Sequence, residues 1–421
     1  MREGSIWIII YGIAWIMFYF VLYKKINKFG ITCLIILTYI IYAICSLLLY
    51  NSNVLSGNYR TLELFPYIYL FGMLVLSLLP AIQHDREQII KIKSPNTFVL
   101  NGFSILFIIT SIILLPNYLS SIQKGINLII FDPYGGADLY KDTHDIGAVK
   151  RTYMDIPFVI FSMFSYIAVL VFFYYLTIPR SNKTLMLGLS ISMIVNLLAP
   201  ISRGLRTETV LMLFAIVTAF FLMKKWIPEK RRKKISFAGI SLISCVVFLL
   251  VVLTISRIVS RDIDVRGSMV EYVGQANLNF NNYGLDAGGI RNGDRTCRIF
   301  KEIMMFDNVP NGPLQRRSKY QNLYIDDYYF YTFVGDFTID FGPIIAVLVF
   351  VVASFFFVKY TKPKNGILTF SQLLILYLSI LIPLQGGMYL FNYSDGGNYT
   401  LIAFAFMAIA FSSFNKPIRI R

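Results

Sequence analysis

Apolar runs of about 20 residues recur along the chain, each closed by a short polar stretch. A helix of about 20 residues crosses the hydrocarbon core of a bilayer. Eleven such runs can be drawn, at 4–23, 29–49, 62–82, 97–116, 156–178, 184–200, 208–223, 235–255, 337–358, 367–388 and 399–414. The pattern predicts an all-α fold: a polytopic integral membrane helical bundle of about 11 transmembrane helices, forming one membrane domain over 1–421. Two connections are long, 117–155 and 256–333. In the second, Ser268 and Glu271 have capping-box spacing and predict a helix over 269–280. Arg295–Phe306 places Ile299, Phe300, Ile303 and Met304 on one face. That fits a helix lying in the membrane interface, or one packed on the outer ends of the bundle.

Composition agrees with a membrane chain. It is 56% apolar and only 15% charged, against about a quarter charged in soluble proteins. The net charge of +16 raises the question of nucleic acid, and the distribution of charge answers it. The loops at 24–28, 84–93, 180–183, 224–234, 359–364 and 416–421 hold 21 of the 39 Lys and Arg but three of the 23 acids. By the positive-inside rule these loops are cytoplasmic and their charge is topological. No nucleic-acid partner is expected. The N-terminus is then outside, the C-terminus inside, and both long loops are external. No cleavable signal peptide is expected, because Ile6–Tyr23 is as long as the later spans and lacks a small-residue cleavage site. The four cysteines suggest no disulfide framework.

An external face has no ATP, so chemistry there needs a substrate that arrives activated. Candidate groups cluster on that face. Arg203 and Arg206 lie three apart in the short loop between the sixth and seventh spans. Arg257 and Arg261 are one turn apart at the end of the eighth. Asp336 and Asp340 have the same spacing at the entry to the ninth. Arginine binds phosphate through a planar, always-charged fork, so the two pairs suit a diphosphate. A carboxylate beside them suits a general base on a sugar hydroxyl. Tyr324, Tyr328, Tyr329 and Tyr331 suit the faces of sugars. The plainer account of each residue is an interface anchor or an internal ion pair. His144, between Asp142 and Asp145, has the surroundings of a base or metal ligand and is read as a solvated loop residue. Asp262-Ile-Asp264 resembles a weak metal motif. No metal or other cofactor is expected.

Two local patterns give the chain a family resemblance. Gly204-Leu205-Arg206 enters an apolar span from a short outer loop. Tyr331-Thr332-Phe333 leads to Asp340-Phe341-Gly342 before a late span. Together with the topology, these elements are similar to those of bacterial oligosaccharide repeat-unit polymerases, the Wzy-type O-antigen polymerases. The resemblance implies a glycosyltransferase of the cytoplasmic (inner) membrane, active on its periplasmic or extracellular face. Its donor and acceptor would be undecaprenyl-diphosphate-linked oligosaccharides, and a chain-length regulator protein would be a candidate partner. Arg206 and Asp340 carry over from the motifs; Arg203, Arg257, Arg261 and Asp336 come from spacing alone. The competing readings are a flippase for the same lipid-linked glycan, an O-antigen ligase and a membrane acyltransferase. A flippase would place charge along mid-span and show related halves. A ligase would use a histidine in the large late loop, and 256–333 has none.

Overall fold

A computed structural model describes residues 2–52, 59–87, 89–131, 155–202, 206–259 and 265–413. The described residues are 76% helical. In chain order the helices are α1 (Ser5–Ile26), α2 (Ile31–Tyr50), α3 (Leu64–Arg86), α4 (Thr97–Phe131), α5 (Asp155–Thr177), α6 (Lys183–Ser202), α7 (Arg206–Met223) and α8 (Glu229–Val259). There follow α9 (Val265–Tyr283), α10 (Arg298–Ile303), α11 (Pro313–Lys319), α12 (Thr332–Phe341), α13 (Pro343–Thr361), α14 (Phe370–Gln385) and α15 (Asn398–Ser413). Two short strands, β1 (Lys91–Lys93) and β2 (Ile367–Thr369), pair in parallel and qualify the all-α expectation. Among the described residues nine helices, α1–α8 and α13, are long and apolar enough to cross a membrane. The tenth and eleventh expected spans are the 16-residue helices α14 and α15. The contacts fall into two compact units, Met1–Lys93 with Arg266–Ala408, and Ser94–Val265 with Ile409–Arg421.

Aromatic packing holds the first unit's helices together. Trp15 of α1 is fully buried, with ring centroids 4.9 Å from Tyr39 of α2 and 4.7 Å from Phe71 of α3. Tyr11 stacks on Tyr67 at 5.0 Å. In a bilayer such packing replaces the hydrophobic drive that water would supply. Gly274 lets α9 lie directly on α2. A Cβ there would sit 2.6 Å from the Cys45 carbonyl oxygen, and the Ser46 hydroxyl donates to the Gly274 carbonyl (2.8 Å).

The unit's connections sort into two ends. At one end the Asp85 carboxylate accepts the Thr32 N–H at the start of α2 (2.9 Å), and β1 pairs with β2. These are loops expected inside. At the other end the Tyr50 hydroxyl donates to the Glu3 carbonyl (2.7 Å). There the Asn281 side chain exchanges hydrogen bonds with the Glu63 backbone (3.0 and 2.7 Å). These are segments expected outside.

In the second unit, Phe107 of α4 stacks on Phe161 of α5 at 5.0 Å. The Tyr175 hydroxyl donates to Asn101 (2.6 Å).

Several boundaries differ from expectation. Helix α4 continues through Pro116 to Phe131, so the first long connection begins later than residue 117. A proline removes one N–H from a helix without having to end it. The basic run at 229–234 is the first turns of α8, not loop. Most relevant to function, the ninth span begins at Pro343, not residue 337. Gly342 has φ 81°, a conformation that favours glycine, and Pro343 starts a helix readily because its missing N–H is one that a first turn leaves unpaired anyway. Asp336 and Asp340 consequently lie on α12, a separate buried helix. The expected helix over 295–306 shrinks to α10, because Met305 turns the chain at φ 59°. Ile299 is buried, and Ile303 and Met304 are exposed. The expected helix over 269–280 is found within α9.

Candidate functional site

The site is built where the segment after α9 folds back over α12. The Arg291 N–H donates to the Ile339 carbonyl (3.0 Å), and the Asp395 N–H to the Arg295 carbonyl (2.9 Å). The start of α12 is itself held tightly. The Thr332 N–H donates to the Met388 carbonyl (2.6 Å) and the Phe333 N–H to the Gly386 carbonyl (2.8 Å). Thr332 has φ 66°, a left-handed conformation costly for a β-branched residue.

These contacts bring three arginines against four aspartates. Arg291 Nε lies 2.7 Å from Asp340 Oδ1, and its Nη1 lies 2.5 Å from Asp327 Oδ1. Arg295 Nε lies 3.1 Å from Asp336 Oδ1. Arg316 grips Asp395 with both nitrogens (2.6 and 3.0 Å) and also pairs with Asp327. The Tyr331 hydroxyl accepts from Arg291 (2.8 Å) and from Arg295. Asp340 Oδ2 accepts from the Thr296 N–H and hydroxyl (both 2.7 Å). Asp336 Oδ2 accepts the Leu390 N–H (2.6 Å). Arg291 Nε and Asp340 Oδ1 approach closely without an aligned hydrogen bond, as do Arg295 Nε and Asp336 Oδ1. Those two contacts are Coulombic.

Burial acts differently on the carboxylates. Burial alone would raise Asp327; Arg291, Arg295 and Arg316 outweigh it and hold the carboxyl below its ordinary value. At Asp336 burial wins over Arg295 and Arg291, and the carboxyl is raised, with Asp340 adding to the effect. This is the pattern expected of a set with one more carboxylate than guanidinium groups. A neighbouring cluster is separately neutralised. Asp294 accepts from Lys319 and from the Tyr320 hydroxyl (both 2.7 Å) and pairs with Lys301.

Beside this framework, exposed and half-buried aromatic rings carry stacked guanidinium groups. The Arg60 guanidinium sits 4.8 Å from the Tyr283 ring centre and 5.5 Å from that of Tyr324. Arg317 lies 4.5 Å from the Tyr328 ring and pairs with Asp326. Tyr389 links the layers: Arg295 is 5.8 Å from its ring, and it stacks on Phe330 at 4.7 Å. Stacked cations fix ring orientation and leave ring faces for a ligand.

The sequence-derived residues divide among these settings. Asp336 and Asp340 are 0% exposed, as is Tyr331. Tyr324 and Tyr328 are exposed at 57% and 55%. Arg206 opens α7 in the second unit. Arg257 lies on α8. Arg203, Arg261, His144 and the Asp262–Asp264 motif lie outside the described residues. Arg291, Arg295 and Arg316 were not singled out from the sequence. The i, i+4 spacing of Arg291 and Arg295 was the available signal, the same spacing that drew attention to Arg257 and Arg261. No protein-family model matches the chain, and no curated protein or solved structure is detectably similar to it.

Proposed function

We propose that the chain is a membrane glycosyltransferase that polymerises undecaprenyl-diphosphate-linked oligosaccharide repeat units at the outer face of the cytoplasmic membrane. The observation that carries this reading is the tyrosine and arginine face of Arg60, Tyr283, Tyr324 and Tyr328, set on a buried charged framework. It lies at the end of the first unit where the loops expected outside come together. Flat exposed rings beside charge suit a sugar chain better than an ion or an acyl group.

In the reaction, the bond between the donor's anomeric carbon and its phosphate oxygen breaks, and the electron pair leaves with the diphosphate. The acceptor hydroxyl oxygen forms the new glycosidic bond and gives up its proton to a base. A leaving diphosphate calls for guanidinium groups that stabilise charge as it develops, the role expected from the sequence for Arg203, Arg206, Arg257 and Arg261. Tyr324 and Tyr328 take the sugar rings. Asp340 and Asp336 meet no solvent, so a base role for either requires substrate to uncover it. As they stand, they and Tyr331 form a buried charged cluster with Arg291 and Arg295.

A flippase reading is less well supported, because the charged constellation lies outside the long apolar helices. Deleting the gene and resolving the surface glycan on a gel tests the choice. A polymerase predicts a single capped repeat unit in place of a ladder. Loss of every repeat unit from the acceptor would instead indicate a flippase or ligase and would overturn the proposal.

A further inference from the structure

The second unit holds a cleft of about 600 Å³ that the proposed reaction does not use. It opens where the end of α5 meets the starts of α6 and α8, three helices long enough to span a membrane. Its rim carries Arg180, Lys183 and Lys234, all exposed, and its walls include Leu176, Met186 and Ile235. Arg231 shapes one side. Its guanidinium donates to the carbonyls of Leu176 (3.2 Å), Ile178 (2.8 Å) and Pro179 (2.7 Å) and so closes the end of α5. Arg180, Lys183 and Lys234 make no side-chain ion pair or hydrogen bond among the described residues. The nearby acid, Glu229, is paired with Lys233 at 3.0 Å.

A concave site with uncompensated cations at its mouth and apolar walls at a helix end matches an amphiphile with an anionic head. We infer that this cleft binds an anionic phospholipid: the phosphate at Lys183, Lys234 and Arg180, and an acyl chain along Leu176, Met186 and Ile235. Basic pockets at the ends of membrane helices select lipids in this way, through attraction that falls off within a Debye length of the surface. The site belongs to the basic ends of the spans, away from the loops expected outside. It is therefore independent of the glycosyltransferase reading.

The test uses the full chain, purified in detergent and stripped of lipid. Dioleoyl-phosphatidylglycerol, dioleoyl-phosphatidylcholine and inorganic phosphate are added in separate arms. Lipid retention is read by native mass spectrometry and thermal stability by heating and size exclusion. The wild type is expected to retain phosphatidylglycerol in preference to phosphatidylcholine and to melt higher in its presence. Lys183→Gln with Lys234→Gln, two exposed positions whose loss leaves Arg231 in place, is expected to weaken phosphatidylglycerol binding about thirtyfold, roughly fivefold per lysine. Equal retention of the two lipids by the wild type would overturn the inference without reference to any variant. So would unchanged phosphatidylglycerol binding in the double variant. A stabilisation reproduced by phosphate alone would show a free-anion site and would also overturn it.

Discussion

Asp327 and Asp336 sit in one charged cluster, yet neutralising them should have unequal consequences. Asp327 contacts three guanidinium groups with a side chain 6% exposed. Asparagine there keeps the shape and removes the charge, leaving Arg291, Arg295 and Arg316 underpaired. Breaking a buried ion pair from one side costs about 3–5 kcal/mol, which corresponds to a fall in Tm of roughly 6–20 °C for a unit of this size. Asp336 is already pushed toward its neutral form by burial. Asp336→Asn keeps an acceptor for the Leu390 N–H and loses mainly the 3.1 Å Coulombic contact with Arg295, a cost of about 1 kcal/mol.

The pH dependence separates the two further. Asp327 titrates lower in the folded chain, so its stabilisation is present above the ordinary carboxylate value of 3.8 and is lost as pH falls below it. Asp336 titrates higher when folded, so its contribution is present while it is protonated and is lost as pH rises past 3.8 through its raised value. Asp336→Asn should therefore narrow its stability gap to the wild type as pH rises. The assay is survival of the monodisperse peak after heating, across pH. Equal losses for the two variants, or a near-normal Asp327→Asn, would refute the proposed division of charge.

Tyr331→Phe should lower Tm by an amount equivalent to about 1–3 kcal/mol, because two buried guanidinium groups lose an acceptor; a neutral result in the same heating assay counts against the hydroxyl's role. Gly274→Ala should destabilise by about 1–3 kcal/mol, since the new methyl meets backbone rather than a movable side chain; an unchanged Tm would mean that α2 and α9 shift apart freely. Tyr324→Ala should leave Tm near normal and lower kcat/KM for polymerisation roughly fivefold, from about 1 kcal/mol of lost ring contact; full activity would remove Tyr324 from the glycan surface.

Much of the helical architecture was legible because a span announces itself through its own composition. Both the two sets of loops and the basic ends of the helices follow from the same hydropathy. The break before the ninth span was also readable: Gly342-Pro343 is a turn signal that the surrounding apolar run concealed. The charged framework was harder to see. Arg291 and Arg295 find their partners 32 to 49 residues away, at Asp327 and on α12, so beyond their own i, i+4 spacing nothing local marks them as buried. Tyr331 illustrates the same difficulty. It stands among exposed tyrosines in the sequence, but the α12 turn at Thr332 directs it inward, where its hydroxyl meets two arginines.

The central claim is that this chain itself joins lipid-linked repeat units. The most direct measurement is reconstitution of the purified chain in nanodiscs with undecaprenyl-diphosphate-linked repeat units, without a nucleotide sugar or ATP. Products are resolved by length on a gel, and released undecaprenyl diphosphate is quantified. The account predicts a ladder of lengthened glycans, with one undecaprenyl diphosphate released for each linkage formed. Repeat units that stay single while the chain remains folded would contradict it.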